Sequence, residues 1–258
     1  MPTPTPSASP STAGQAPGTH LALGDSLAVG VGATDPQELG YVGRLFAALS
    51  EPGAALRVAN LSNLAVSGET TSSMIRGGQL AAALEAAHAA DPPVSLVTLD
   101  IGGNDLLRLL GTDACASAPQ GPECQQLVAL TLIDFRANYR LIVGELSGAL
   151  AHAPDARLAV MTYFNPFSGT DAAYEAAAEL ALLGTDGRLD CSADESASHG
   201  MNDIIACVAE DVGAVAVDVQ PRFSDLGLEL THIGSEDIHA NDRGYEVIAD
   251  AFLEQLEP

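Results

Sequence analysis

The chain has 258 residues, enough for one large α/β domain with a continuous core, and its 47% hydrophobic content excludes a chain disordered throughout. Its net charge is −24, its ten basic residues are all arginine, and it has no Trp. Such a surface repels phosphate backbones and anionic headgroups and offers few stacking platforms, which argues against nucleic-acid binding.

The first segment, residues 1–18, is rich in Pro, Ser and Thr and is expected to be a disordered tether. It has neither a basic n-region nor an apolar core and is not a signal peptide. Such tethers often join an export signal or anchor to a domain, which points to a secreted or cell-surface protein. The remainder, 19–258, is expected to be one domain. No apolar run reaches the length of a membrane span.

A strand begins at "HLALGDS" and stops in a turn. Residues 57–66 read as a second strand and 77–90 as an Ala-rich helix. Residues 94–105 form a near-continuous apolar run, the mark of a parallel strand covered on both faces. A long helical segment follows from Gln125, then strands at 157–163 and 214–219. Helices are expected at 171–183, over "MNDIIACVAEDVG" and at 241–256. Residues 164–200 look like an insertion or lid. Alternation of strand and helix implies βαβ units on a five-stranded parallel sheet.

Cys115 and Cys124 bracket a short Pro/Gly loop, and Cys191 and Cys207 a second polar stretch. Two local disulfides, Cys115–Cys124 and Cys191–Cys207, fit an exported protein. The alternatives are four free thiols or a zinc site, and zinc lacks the close Cys and His spacing it needs. The acidic stretch 186–195 has no EF-hand pattern and reads as a solvated loop.

The stretch "LALGDSLAVGVG", residues 21–32, admits three readings. A phosphate-binding loop needs a Lys, and the chain has none. A dinucleotide fingerprint needs a third glycine where Asp35 stands. The third reading makes Ser26 a nucleophile at the carboxyl end of a strand, where open parallel sheets bind ligands. Other strand exits or pre-helix segments present Gly68, Asn104 and His239. His232 is a weaker rival to His239, and Asp25 reads as a structural residue bonding local backbone N–H groups. "FNPF" at 164–167 either lines an acyl pocket or simply packs.

Gly24-Asp25-Ser26-Leu27, Gly68 in "NLAVSGET", Gly103-Asn104-Asp105 and His239 in "DIHAND" occur in this order across 21–254. In this the chain resembles the SGNH, or GDSL, hydrolase family. The lipase-type elbow GxSxG is absent. The resemblance implies a three-layer α/β/α sandwich with a flavodoxin-like parallel sheet. It implies a serine esterase or lipase needing no cofactor, with Ser26 as nucleophile and His239 as base. It also implies an oxyanion hole from the Ser26 N–H, the Gly68 N–H and the Asn104 side chain.

The family's orienting Asp lies three residues before the His, where this chain has Glu236. Glu236 is the first choice, with Asp237 and a backbone carbonyl as alternatives. The expected substrate is a small-molecule or lipid ester. The runner-up is a carbohydrate O-acetylesterase on the same site, and a non-catalytic binding module is the alternative from another class.

Overall fold

The structure is a computed structural model and describes residues 16–54, 56–153, 155–185 and 199–256. Five strands, β1 (Gly18–Gly24), β2 (Val58–Asn63), β3 (Val94–Asp100), β4 (Arg157–Met161) and β5 (Val215–Val217), form one sheet. All neighbours pair in parallel in the order β2-β1-β3-β4-β5. This is the doubly wound, flavodoxin-like order, with its switch point between β1 and β3.

The central strands are apolar throughout because both faces are covered. β1 is buried from end to end, as is nearly all of β3. The helices Tyr41–Ser50 and Asp242–Leu256 pack together, with Tyr41 stacked on Phe252 at 5.2 Å. A second helix group comprises Gln79–Ala89, Pro122–Leu150 and Met201–Val212, joined through the long Pro122–Leu150 helix and through sheet contacts. Leu, Val, Ile and Ala supply most of the core, with Phe135, Tyr139, Phe223 and Tyr245 as its larger fillers.

The strands and the long helices fall where their hydrophobic periods place them. The Tyr41–Ser50 helix was not anticipated, although Tyr41, Val42, Leu45 and Leu49 recur at helical spacing and are buried. Its interior Gly43 obscures the pattern. A Cβ there would lie 1.9 Å from the Gln37 carbonyl oxygen, so close chain approach requires the glycine.

Residues 1–15 of the expected tether lie outside the described residues. Within the 164–200 segment, so do residues 186–198, which hold Cys191 and most of the acidic stretch. The Cys191–Cys207 bridge therefore lies outside the described residues. The described part carries the helix Ala172–Leu183, packed on Met201–Val212. The Cys115–Cys124 disulfide is formed, with its Cα atoms 4.8 Å apart. Among the described residues no helix is long and apolar enough to cross a membrane.

His20 is wholly buried in β1, its Nε2 2.9 Å from Thr98 Oγ1 and its Nδ1 without a hydrogen-bond partner. Burial holds the imidazole down at about 3. Between the ordinary His value and that figure, the unfolded chain binds a proton that the folded chain refuses. Stability is thus lost as pH falls, at about 1.4 kcal/mol per pH unit from this one group. In urea denaturation, His20→Gln is expected to remove that slope. The wild-type-minus-variant difference should change by about 1.4 kcal/mol per unit between about pH 6 and pH 4. Parallel curves would show that the folded His20 takes up the proton.

Candidate active site

β1 ends at Gly24, whose φ is +139° and where a Cβ would lie 2.2 Å from the Asp100 carbonyl oxygen. Only glycine permits this crossing of the β1 and β3 ends. Asp25 follows and caps the short turn Ser26–Val29, accepting from the Leu27 N–H at 3.0 Å. Ser26 is the first residue of that turn. A first-turn N–H has no intrahelical acceptor and is available to a ligand.

His239 reaches Ser26 from the other end of the chain. Its Nε2 lies 2.9 Å from Ser26 Oγ, and its Nδ1 lies 2.5 Å from Asp237 Oδ1. A carboxylate only accepts, so Nδ1 carries the hydrogen and Nε2 is left to accept from the serine hydroxyl. Asp237 Oδ1 also accepts from the His239 backbone N–H at 3.0 Å. That N–H, and then the imidazole, holds the Asp237 carboxyl below its ordinary value despite some desolvation.

The carboxylate on the imidazole therefore belongs to Asp237 rather than to Glu236, the first choice from sequence. A short side chain two residues before His239 can close an Asx ring on both the backbone N–H and the imidazole. Glu236 occupies a left-handed turn position, φ 62°, with its N–H bonded to the Ile233 carbonyl. It makes no hydrogen bond to His239 among the described residues.

The His239 loop is locked to the serine loop. His232 Nε2 sits 2.8 Å from the Gly32 carbonyl oxygen, so the rival histidine is a strut. Tyr245 Oη donates to the Val31 carbonyl at 2.5 Å, and Thr34 N–H donates to Asp242 Oδ1 at 2.7 Å. A Cβ on Gly32 would come within 2.6 Å of the Ala240 carbonyl oxygen and 3.0 Å of His239 Cβ. Gly32 of the opening motif thus makes room for the histidine, while Gly30 makes room for Pro36, whose carbonyl oxygen a Cβ there would meet at 2.5 Å.

Gly68, with φ +79°, lies in the exit of β2. The exit is tied to β1 by the Val66 N–H on the Gly24 carbonyl at 3.1 Å. Asp105 bonds the Thr71 N–H at 3.0 Å and its hydroxyl at 2.7 Å, tying the same loop to the β3 exit. Asn104 Nδ2 donates to the Glu69 carbonyl at 2.9 Å and to Asp25 Oδ2 at 3.3 Å. The structure thus joins the Ser26, Gly68 and Asn104 segments by hydrogen bonds at one sheet edge. Gly68 does not line the cavity there, whereas Ser26, Asn104 and His239 do.

Behind Ser26 lies a polar cluster that sequence reasoning did not find. Asp100 accepts from Tyr41 Oη at 2.5 Å and from the Asp25 N–H at 3.3 Å. Tyr163 Oη donates to Asp25 Oδ2 at 2.9 Å. Gln79 bridges Gly24 N, Gly24 O and Glu69. Burial pushes up the Asp25 carboxyl, opposed by its hydrogen bonds. Burial, and then the charge of Asp25, pushes Asp100 well above the usual range. The available signal was a carboxylate ending an otherwise apolar strand, "VSLVTLD".

Ser26 and His239 open onto a cavity of about 140 Å³. Phe164, Pro166 and Phe167 of "FNPF" line it. Phe164 also stacks on Phe223 at 4.0 Å, so one ring serves pocket and packing together. Among the described residues no cluster of three or more His, Cys, Asp or Glu side chains could hold a metal ion.

The model of the GDSL-like lipase/acylhydrolase family matches residues 22–247. No curated protein matches the chain. Among solved structures, phospholipase A1 from Streptomyces albidoflavus NA297 is 20% identical with a TM-score of 0.60, covering 93% of this chain and 100% of that one. A mutant of an acetylxylan esterase from Geobacillus stearothermophilus is 18% identical with a TM-score of 0.57, covering 92% and 93%. An extracellular lipase from Streptomyces rimosus is 21% identical with a TM-score of 0.54, covering 92% and 99%. These likenesses carry the fold, and the family match spans nearly the whole described chain. The protein belongs to the GDSL-like lipase/acylhydrolase family.

Proposed function

We propose that the protein is a serine esterase that hydrolyses carboxylic esters through an acyl-enzyme on Ser26. One observation carries this reading: the unbroken chain of hydrogen bonds Asp237–His239–Ser26 opening onto a cavity. A serine hydroxyl is a poor nucleophile until a base takes its proton. His239 Nε2 accepts that proton as Oγ attacks the acyl carbon, and Asp237 stabilises the imidazolium. The tetrahedral intermediate collapses as His239 hands the proton to the leaving alcohol. Water, deprotonated by the same imidazole, then releases the acid.

The oxyanion is received by the Ser26 N–H and the Asn104 amide, both on cavity-lining residues; the Gly68 N–H, the third donor that the family resemblance implies, stands on the adjoining loop outside the lining. Both amide hydrogens of Asn104 already have internal acceptors, and the 3.3 Å bond to Asp25 is the longer one. That bond is the one exchanged for the oxyanion. Tyr163 stays on the same Asp25 oxygen, so the carboxylate is not stranded.

A carbohydrate O-acetylesterase is the second reading, favoured by the likeness to the Geobacillus acetylxylan esterase. Turnover of acetylated glycans without turnover of alkanoate esters would select it. The Cys115–Cys124 disulfide supports an oxidising compartment, so we read the protein as exported.

A fluorophosphonate probe is expected to label the folded protein at Ser26. Ser26→Ala should abolish labelling and lower ester turnover by at least roughly 10³-fold. Absence of labelling in folded protein would instead make the chain a binding module. Asp237→Asn should lower kcat by about 10²- to 10⁴-fold, because the amide favours the wrong imidazole tautomer. Glu236→Gln should stay within about threefold, and equal small losses in both would mean that neither carboxylate orients the ring. Asn104→Ala should cost about 10²- to 10³-fold in kcat, read against its KM.

A further inference from the structure

The cavity next to Ser26 is polar at one end only. Ser26 Oγ and His239 are engaged with each other, and the Tyr163 hydroxyl is spent on Asp25. Beyond them the walls are almost entirely hydrocarbon. Leu106, Leu107, Leu109 and Leu110 form one side, and the Cys115–Cys124 disulfide with Val128 closes another. Among the described residues Asp25 is the one acidic side chain in the lining, and it is buried and hydrogen-bonded through both oxygens.

The helix Ala172–Leu183 supplies another wall. It presents Tyr174, Ala177, Ala178, Ala181 and Leu182 to the cavity. These positions recur at i, i+3, i+4, i+7 and i+8, which is one face of a helix. Bulky residues stand at its ends and three alanines in the middle. Short alanine side chains keep this wall low, and Ser26 and His239 line the same cavity.

Sugar hydroxyls entering this space would lose water and find almost no partners, which is costly. An alkyl chain gains with each methylene removed from water. The cavity of about 140 Å³ is close to the size that accepts a benzene ring, so it has room for about six carbon atoms. We infer that this cavity is an acyl pocket for esters of unbranched aliphatic acids of about six carbons or fewer, with Ala177, Ala178 and Ala181 setting the length accepted. The inference rests on the serine-esterase reading and names the substrate class for that site.

The test uses the full chain and p-nitrophenyl esters of acids from two to sixteen carbons. The value of kcat/KM should rise by roughly fourfold per added methylene at first. It should peak at about four to eight carbons, when the pocket is full, and then fall. A second series holds the acyl group at acetyl and lengthens the alcohol. Chain-length dependence confined to that second series would place the alcohol in the cavity and overturn the assignment. A maximum at acetate would also overturn it. Fluorophosphonate labelling of Ser26 would in either case leave the esterase reading standing, whereas loss of both labelling and hydrolysis would remove that reading itself.

Ala178→Phe and, as a milder change, Ala181→Leu should each lower the octanoate-to-acetate ratio of kcat/KM by at least about tenfold. Labelling by a small phosphonate reports whether each variant is folded. An unchanged ratio in labelled variants would overturn the role of the helix face.

Discussion

A buried carboxylate, Asp25, is the interaction on which the proposed site depends. Taking a charge out of water is expensive, and such a group persists only where hydrogen bonds replace its hydration. Asp25 collects donors from three elements: the Leu27 N–H of its own turn, the Asn104 amide after β3 and the Tyr163 hydroxyl after β4. Each donor belongs to a segment that must be placed for the site to exist. Satisfying one anion therefore sets the Ser26 turn, the Asn104 segment and the cavity wall at Tyr163 in fixed relation.

Asp100 makes that arrangement tolerable. Two carboxylates this close in a dry interior cannot both ionise. Burial and the neighbouring charge drive Asp100 the higher of the two, and Tyr41 donates to its other oxygen. The raised carboxyls lower the charge that the cluster must hold. Its cost is offset by hydrogen bonds that also tie β1, β3 and the Tyr41–Ser50 helix together.

The topology does the rest of the gathering. In a parallel sheet every strand exits on the same edge, and at the switch point between β1 and β3 the exits diverge to leave a crevice. Ser26 and Asn104 leave from those two strands, and the Gly68 loop leaves from β2 beside them. His239 cannot come from a strand exit of this edge, since β5 ends at Val217. It is carried by the loop before the last helix and clamped through Gly32, Val31 and Thr34. Gly32, which looks incidental in the opening motif, belongs to this clamp.

Strand periodicity, the long helices and the parallel class were legible in the sequence because burial on two faces leaves unbroken apolar runs. Ser26, Gly68, Asn104 and His239 were legible because each stands at a strand exit or before a helix, in an order shared with a known family. The Tyr41–Ser50 helix was hidden by Gly43, whose reason is a contact with Gln37 that no local pattern reveals. Glu236 and Asp237 stand side by side, and residue type cannot rank them. The choice fell to a left-handed turn at Glu236 and an Asx ring closed by Asp237. Likewise Tyr41, Asp100 and Tyr163 lie far apart along the chain and meet only in the folded core. The sequence by itself determined which residue types stand at the strand ends, since that follows from hydrophobic period and turn chemistry. Only the tertiary structure decided which carboxylate holds the imidazole and which acids meet behind the serine, because both depend on distances and desolvation that exist only once the sheet has closed.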